Sequence, residues 1–155
     1  MIGRMLTSQL EYTAYSLEKN LEGTTHEESL VQPGKNGNCI NWVVGHIVHH
    51  RNIMHRLVGL EPVWTAKTQE RYVRGSNPVI SDSGIETLST LLTMYQASQA
   101  VLAARLCDVT SKELAQETNE DPLAMKLAGL VFHESYHVGQ LGVIRRVLGK
   151  DAVLV

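Results

Sequence analysis

Between Asp121 and Gly149 one stripe of residues recurs at alternating steps of four and three without a slip: Leu123, Leu127, Leu130, Glu134, His137, Leu141, Ile144 and Leu148. That period is one face of an α-helix, and no strand can carry it. Asp121-Pro122 predicts an N-cap followed by proline at the first helical position, and Gly149 ends the segment. Three further segments read the same way. From Gly3 to Leu21 the stripe is Leu6, Leu10, Ala14, Leu17 and Leu21, closed by Gly23. A second helix is expected from Asn38, a plausible N-cap, to Val58, with Gly59 as the residue after its end. A third is expected from Ser83 to Cys107, because Ser83 and Glu86 have the spacing of a capping box. Its stripe is Ile85, Leu88, Leu92, Tyr95, Gln99, Leu102 and Leu106.

No segment has a convincing period of two, so the expected fold is all-α, a four-helix bundle in a single domain over residues 1–155. Residues 24–37, with Pro33-Gly34 and Asn36-Gly37, read as a loop. Residues 60–83, with Pro62, Gly75, Pro78 and the Ser-Asp-Ser-Gly run at 81–84, read as a long connection. A connection of that length can travel the whole bundle. It predicts that helices two and three run parallel, in up-down-down-up order; a lid or an insertion is its other use.

Composition excludes several classes of function. With 43% hydrophobic and 19% charged residues the chain is an ordinary globular one, and a net charge of −2 gives no nucleic-acid footprint. No apolar run is long enough to span a bilayer, and the first ten residues contain no signal-peptide core, so a cytoplasmic location is expected. Cys39 and Cys107 belong to no CxxC pair and read as reduced thiols.

The chain has seven histidines. In helix four His133 and His137 are one turn apart on one face, close enough to grip one ion. In helix two Val43, His46, His50, Ile53 and Leu57 form one seam, which turns His46 and His50 inward; His49 falls on a flank with Trp42 and Asn52, and His55 nearer solvent. If helices two and four are antiparallel, the heights of His46 and His137 agree. Buried imidazoles need partners, which a metal ion or a hydrogen-bond network supplies. Three histidines without a thiolate suit zinc or nickel, with iron or manganese as the other borderline candidates, and leave a position open for water or substrate. His50 is either a fourth ligand that closes the site or a contact to the substrate.

The run His133-Glu134-Ser135-Tyr136-His137 matches the zinc-peptidase pattern HExxH. The downstream context does not. Gln140 and Val143 stand where a metzincin has glycine and a third histidine, and only Asp151 offers a carboxylate beyond the helix. Glu134 still falls on the apolar stripe. It is either a general base facing the site or a boundary residue hydrogen-bonded across the bundle.

Two motifs carry a family resemblance. His133-x-x-x-His137-x-Gly139-Gln140 resembles the C-terminal signature of the DinB-like family, and Asn41-Trp42-Val43-Val44-Gly45-His46-Ile47 resembles its second-helix motif, a tryptophan four residues before a metal-binding histidine. The order and length of the elements are similar as well, over nearly the whole chain. The resemblance implies an up-down-down-up bundle, a divalent metal held by His46, His133 and His137, and frequent homodimers. Family members of known activity use low-molecular-weight thiols as S-transferases or a mycothiol-dependent isomerase; others were proposed as metal-dependent hydrolases. The expected function is therefore a metal-dependent enzyme of thiol S-transferase type acting on a small molecule, with His50 or Glu134 moving the proton. The alternatives are a hydrolase using metal-bound water with Glu134 as base, and a non-enzymatic metal-binding or sensing bundle.

Overall fold

The computed structural model describes residues 1–153 apart from Asn36, Asp82 and Glu120. Asn36 and Asp82, read above as parts of the two polar connections, lie outside the described residues, as do Leu154 and Val155 at the end of the expected domain. The elements are α1 (Ile2–Leu21), α2 (His26–Ser29), α3 (Ile40–Leu57), a 3-10 segment (Lys67–Tyr72), α4 (Leu88–Asp108), α5 (Ser111–Leu114) and α6 (Leu123–Val147). Among the described residues there is no strand, only an isolated bridge between Glu117 and Pro122. No described helix is long and apolar enough to cross a membrane.

The four long helices are those expected, and their ends follow the sequence signals. Gly23, Gly59 and Gly149 take φ of 70°, 76° and 76°, the left-handed conformation that closes a helix and that glycine adopts without strain. The start of α4 differs from expectation. Ser83 and Glu86 form no capping box; Thr87 is the N-cap and accepts from the Thr90 N–H at 3.2 Å. Glu86 is committed elsewhere. Its N–H donates to the Tyr72 hydroxyl at 3.0 Å, its carbonyl accepts from Asn41 Nδ2 at 2.9 Å, and its carboxylate accepts from Thr68 Oγ1 at 2.6 Å. Capping boxes do form at Thr25/Glu28 and Thr110/Glu113, where they start the short helices α2, inside the connection read as a loop, and α5, between α4 and α6. At α6, Pro122 is the N-cap, one residue later than the expected Asp121, whose carbonyl accepts from the Thr118 N–H at 3.0 Å.

The bundle runs up-down-down-up. Thr7 Oγ1 lies 3.7 Å from Cys107 Sγ, so α1 and α4 are antiparallel. Asn41 reaches Glu86 and Arg51 reaches Tyr95, so α3 and α4 are parallel. His46 meets His133 while Leu57 shares a cleft with Lys126, so α3 and α6 are antiparallel. Each of α1 and α3 packs on both α4 and α6, and the pairs α1/α3 and α4/α6 face each other across the diagonals.

A polar layer divides the core. On one side lie Leu6, Leu10, Met54, Leu102, Leu106 and Leu127; on the other Leu17, Ile40, Val44, Ile47, Leu91 and Leu141. Between them Arg51, 0% exposed, meets Glu134, 1% exposed, through two bonds: Nε to Oε2 at 2.9 Å and Nη2 to Oε1 at 2.7 Å. Arg51 also donates to the Tyr95 carbonyl at 3.2 Å and to Gln99 Oε1 at 2.7 Å, and the Tyr95 hydroxyl donates to Glu134 Oε1 at 3.1 Å. A buried ion pair is tolerated only when its remaining donors and acceptors are met in this way. His55 belongs to the same layer and corrects the expectation that it lies near solvent. It is buried, its Nδ1–H donates to the Glu61 carbonyl at 2.6 Å, and its Nε2 accepts from Ser98 Oγ at 2.9 Å.

Candidate metal centre

The second turn of α3 is built around His46, and each neighbour in the motif has a physical task. Gly45 has no side chain because the Tyr72 ring lies against the helix there; a Cβ would overlap that ring. Tyr72 is held in place by its hydroxyl, which donates to Asn41 Oδ1 at 3.0 Å. Its carbonyl then sits 2.6 Å from His46 Nδ1. A carbonyl can only accept, so Nδ1 carries the proton and Nε2 presents a lone pair. Trp42 stacks on the His46 ring at 4.5 Å and 16°, fixed by its Nε1–H to Ser76 Oγ at 2.9 Å. Gly45→Ala is therefore expected to destabilise the protein by about 1–3 kcal/mol through overpacking. Loss of the carbonyl that orients His46 is expected to weaken metal binding about 10-fold or more. Thermal unfolding and a metal titration check both; an Ala variant unchanged in each would show that the Tyr72 contact does not orient His46.

On α6 the same device recurs within one helix. His137 Nδ1 donates to Gln140 Oε1 at 2.7 Å, and Gln140 Nε2 donates to the Tyr136 hydroxyl at 3.3 Å, which fixes the amide. His137 thus presents its Nε2 lone pair as well. Both lone pairs point at His133: its Nε2 is 3.3 Å from His46 Nε2 and 3.1 Å from His137 Nε2. The one proton His133 can hold on Nε2 satisfies only one of them, and its Nδ1 is buried without a partner among the described residues. A cation among the three nitrogens resolves this excess of lone pairs. The two distances from His133 suit one: ligands about 2.0–2.1 Å from a zinc ion, at angles between octahedral and tetrahedral, lie roughly 2.9–3.4 Å apart.

The imidazoles are neutral at physiological pH, as metal ligation requires. Burial pushes the pKa of His46 down to about 4 and that of His50 to about 3, with the neighbouring imidazoles adding to both shifts. His133 and His137 are lowered too, chiefly by burial. His50 stands beside His133 with ring centroids 4.0 Å apart, and one nitrogen from each of His46, His50 and His133 lies within 4.8 Å of the others. The site is therefore a cluster of four histidines. Hydrogen-bond-range distances bring His46 and His137 to His133, and His50 joins His46 and His133 in the group whose nitrogens are all mutually close.

Glu134, expected as a general base, is not placed for that role. Its carboxylate serves Arg51 and Tyr95 in the polar layer, and the second sequence reading, a residue bonded across the bundle, is the one observed. Sequence reasoning missed Arg51 altogether. The signal was present in Glu134 itself: a carboxylate on an otherwise apolar stripe demands a buried cation on a facing helix. Two other histidines stand apart from the three-nitrogen set. His49 is half-buried beside His50, and His26 accepts from the Leu88 N–H at 3.2 Å at the start of α4.

No family model matches the chain, and no curated protein does. Among solved structures it is similar to the crystal structure of a conserved protein of locus from Enterococcus faecalis. The TM-score is 0.74 at 16% identity, over 94% of this chain and 96% of that one. A likeness at this identity establishes the shared all-α bundle. The functional reading rests on the histidine cluster, where His46, His50 and His133 lie close enough to hold a metal ion.

Proposed function

We propose that the protein is a metal-dependent enzyme of thiol S-transferase type, with one divalent ion, zinc or nickel, held by Nε2 of His46, His133 and His137. The observation that carries this reading is the approach of His46 Nε2 and of His137 Nε2 to His133 Nε2, with two tautomers fixed by Tyr72 O and Gln140 Oε1. Membership of the DinB-like family belongs to the same reading. It is supported by the up-down-down-up order and by the tasks found for Asn41, Trp42, Gly45, His46 and Gln140.

Three protein ligands leave a position open, and a divalent ion bound there lowers the pKa of a thiol that enters it. With its pKa pushed down to about 3 by burial, His50 does not hold the S–H proton at neutral pH, so the proton passes to solvent and His50, beside His133, contacts the substrate. The sulfur forms its bond to the electrophile's carbon as the leaving group departs. Trp42 covers one face of His46 and excludes water from that side. Glu134 as the base of a hydrolase finds no support, because its carboxylate is committed to Arg51. Titrating the cobalt-substituted protein with a low-molecular-weight thiol tests the reading. The visible spectrum is expected to shift on thiol addition; a spectrum unmoved at saturating thiol would remove the transferase assignment.

The same reading includes a homodimer. The outer face of α6 carries Met125, Phe132, Tyr136, Val143 and Val147, each between 53% and 74% exposed, at steps of seven and four. A self-complementary apolar stripe of this kind suits a second copy. Sedimentation equilibrium is expected to give a dimer that Phe132→Glu converts to monomer, and a wild-type monomer at high concentration would discard the idea.

A further inference from the structure

A cleft of about 400 Å3 opens between α3 and α6, walled by Ile53, Leu57 and Leu130, with His50 and His133 towards one end along the helices and Lys126 towards the other. Its apolar walls are half-buried by the fold, so they retain surface that a ligand can cover. Lys126 is the single charged side chain among the lining residues, and among the described residues it makes no ion pair or hydrogen bond. Seven residues separate it from His133 on α6, about 10 Å along the helix axis.

Gly129 supplies a second, independent observation. Glycine in mid-helix is disfavoured relative to alanine, and close packing is the usual reason to keep one. Gly142 on the same helix has that reason, since a Cβ there would come within 3.2 Å of Asn20 Oδ1. At Gly129 a Cβ would meet nothing within 4 Å, and the residue lines the cleft. Its bare backbone keeps the cleft open.

We propose that this cleft binds the substrate, a small molecule with an extended apolar body and an anionic tail. The tail pairs with Lys126, the body lies against Ile53, Leu57 and Leu130, and the reacting end reaches the histidines. This rests on the reading of the histidine cluster as the reacting centre. Calorimetric titration of the full chain with octanoate and with 1-octanol, as purified and after chelation, separates the two claims. Octanoate is expected to bind in both states. Gly129→Leu is expected to weaken it more than about 10-fold while metal content and thermal midpoint are kept, because leucine is the better helix former. Lys126→Ala is expected to weaken octanoate about 10-fold and leave 1-octanol unchanged. No octanoate binding to the wild type, or equal binding by Gly129→Leu, overturns the proposal. If Gly129→Leu fails to fold, the octanoate-to-octanol split in Lys126→Ala still decides it. Metal-free wild type that binds octanoate with both dependences, and that cannot be loaded with metal, would keep the cleft and remove the metal reading.

Discussion

Purified protein is expected to hold about one equivalent of divalent metal, and His133→Ala to hold essentially none after dialysis. His133 is the hinge of the cluster: its Nε2 is within 3.3 Å of His46 Nε2 and 3.1 Å of His137 Nε2. Removing it takes away a direct ligand, which costs more than the 10–100-fold loss typical of a group that only orients one. His46→Ala and His137→Ala are expected to behave alike. His50→Ala is expected to keep its metal, because the proposed set of three ligands is complete without it. Elemental analysis of the four variants reads this directly. Metal lost in His50→Ala as well would mean a closed four-histidine site, and the non-enzymatic binding reading would then take over. Wild type that takes up no metal after reconstitution would reduce the cluster to a buried hydrogen-bond network.

Glu134→Ala is expected to cost about 3–5 kcal/mol of folding stability, measured by urea denaturation of metal-free protein. The substitution leaves the Arg51 guanidinium, 0% exposed, without its counter-charge. Burial works against the charge on Arg51, but the Glu134 carboxylate and then the Tyr95 side chain hold its pKa above the usual value. The double variant Arg51→Met, Glu134→Leu removes both charges and is expected to recover most of the loss. A Glu134→Ala cost below about 1 kcal/mol would mean that water reaches this layer. The same pair separates structure from chemistry: a hydrolytic base at Glu134 would make the double variant inactive yet stable.

The helices were legible because each buries a stripe that repeats every turn, and the glycine ends because a left-handed residue closes each one. The rotation of α3 was not. The seam of Val43, His46, His50, Ile53 and Leu57 was read as facing the core, but the most deeply buried face is Val44, Val48, Arg51, His55 and Val58. Counting apolar residues places an arginine and a histidine outward, and only the partners Glu134 and Ser98, contributed by other helices, reverse that. His46 and His50 accordingly face the margin between α3 and α6. Spacing alone marks His133 and His137, one helix turn apart, and turns both His46 and His50 inward; the tryptophan motif, Trp42 four residues before His46, is what favours His46 over His50. The tasks of Tyr72 and Gly45 were hidden, since a carbonyl brought in by a distant connection leaves no pattern along the chain.

The up-down-down-up order also governs how the chain reaches this state. Consecutive long helices joined by the shorter connections, α1 with α3 and α4 with α6, lie across diagonals and do not form helical hairpins. The contacts that tie the long helices together wait on distant closure: Asn41 to Glu86 spans 45 residues, Arg51 to Glu134 spans 83, and His46 to His133 spans 87. Closing a loop of the last size costs on the order of 4 kcal/mol in chain entropy before any contact rewards it. A bundle so connected folds as one unit and more slowly than its helix content suggests. His46 and His133 become neighbours only when the final helix docks, so under the proposed reading an ion would bind late and could not serve as the nucleus around which the chain collapses.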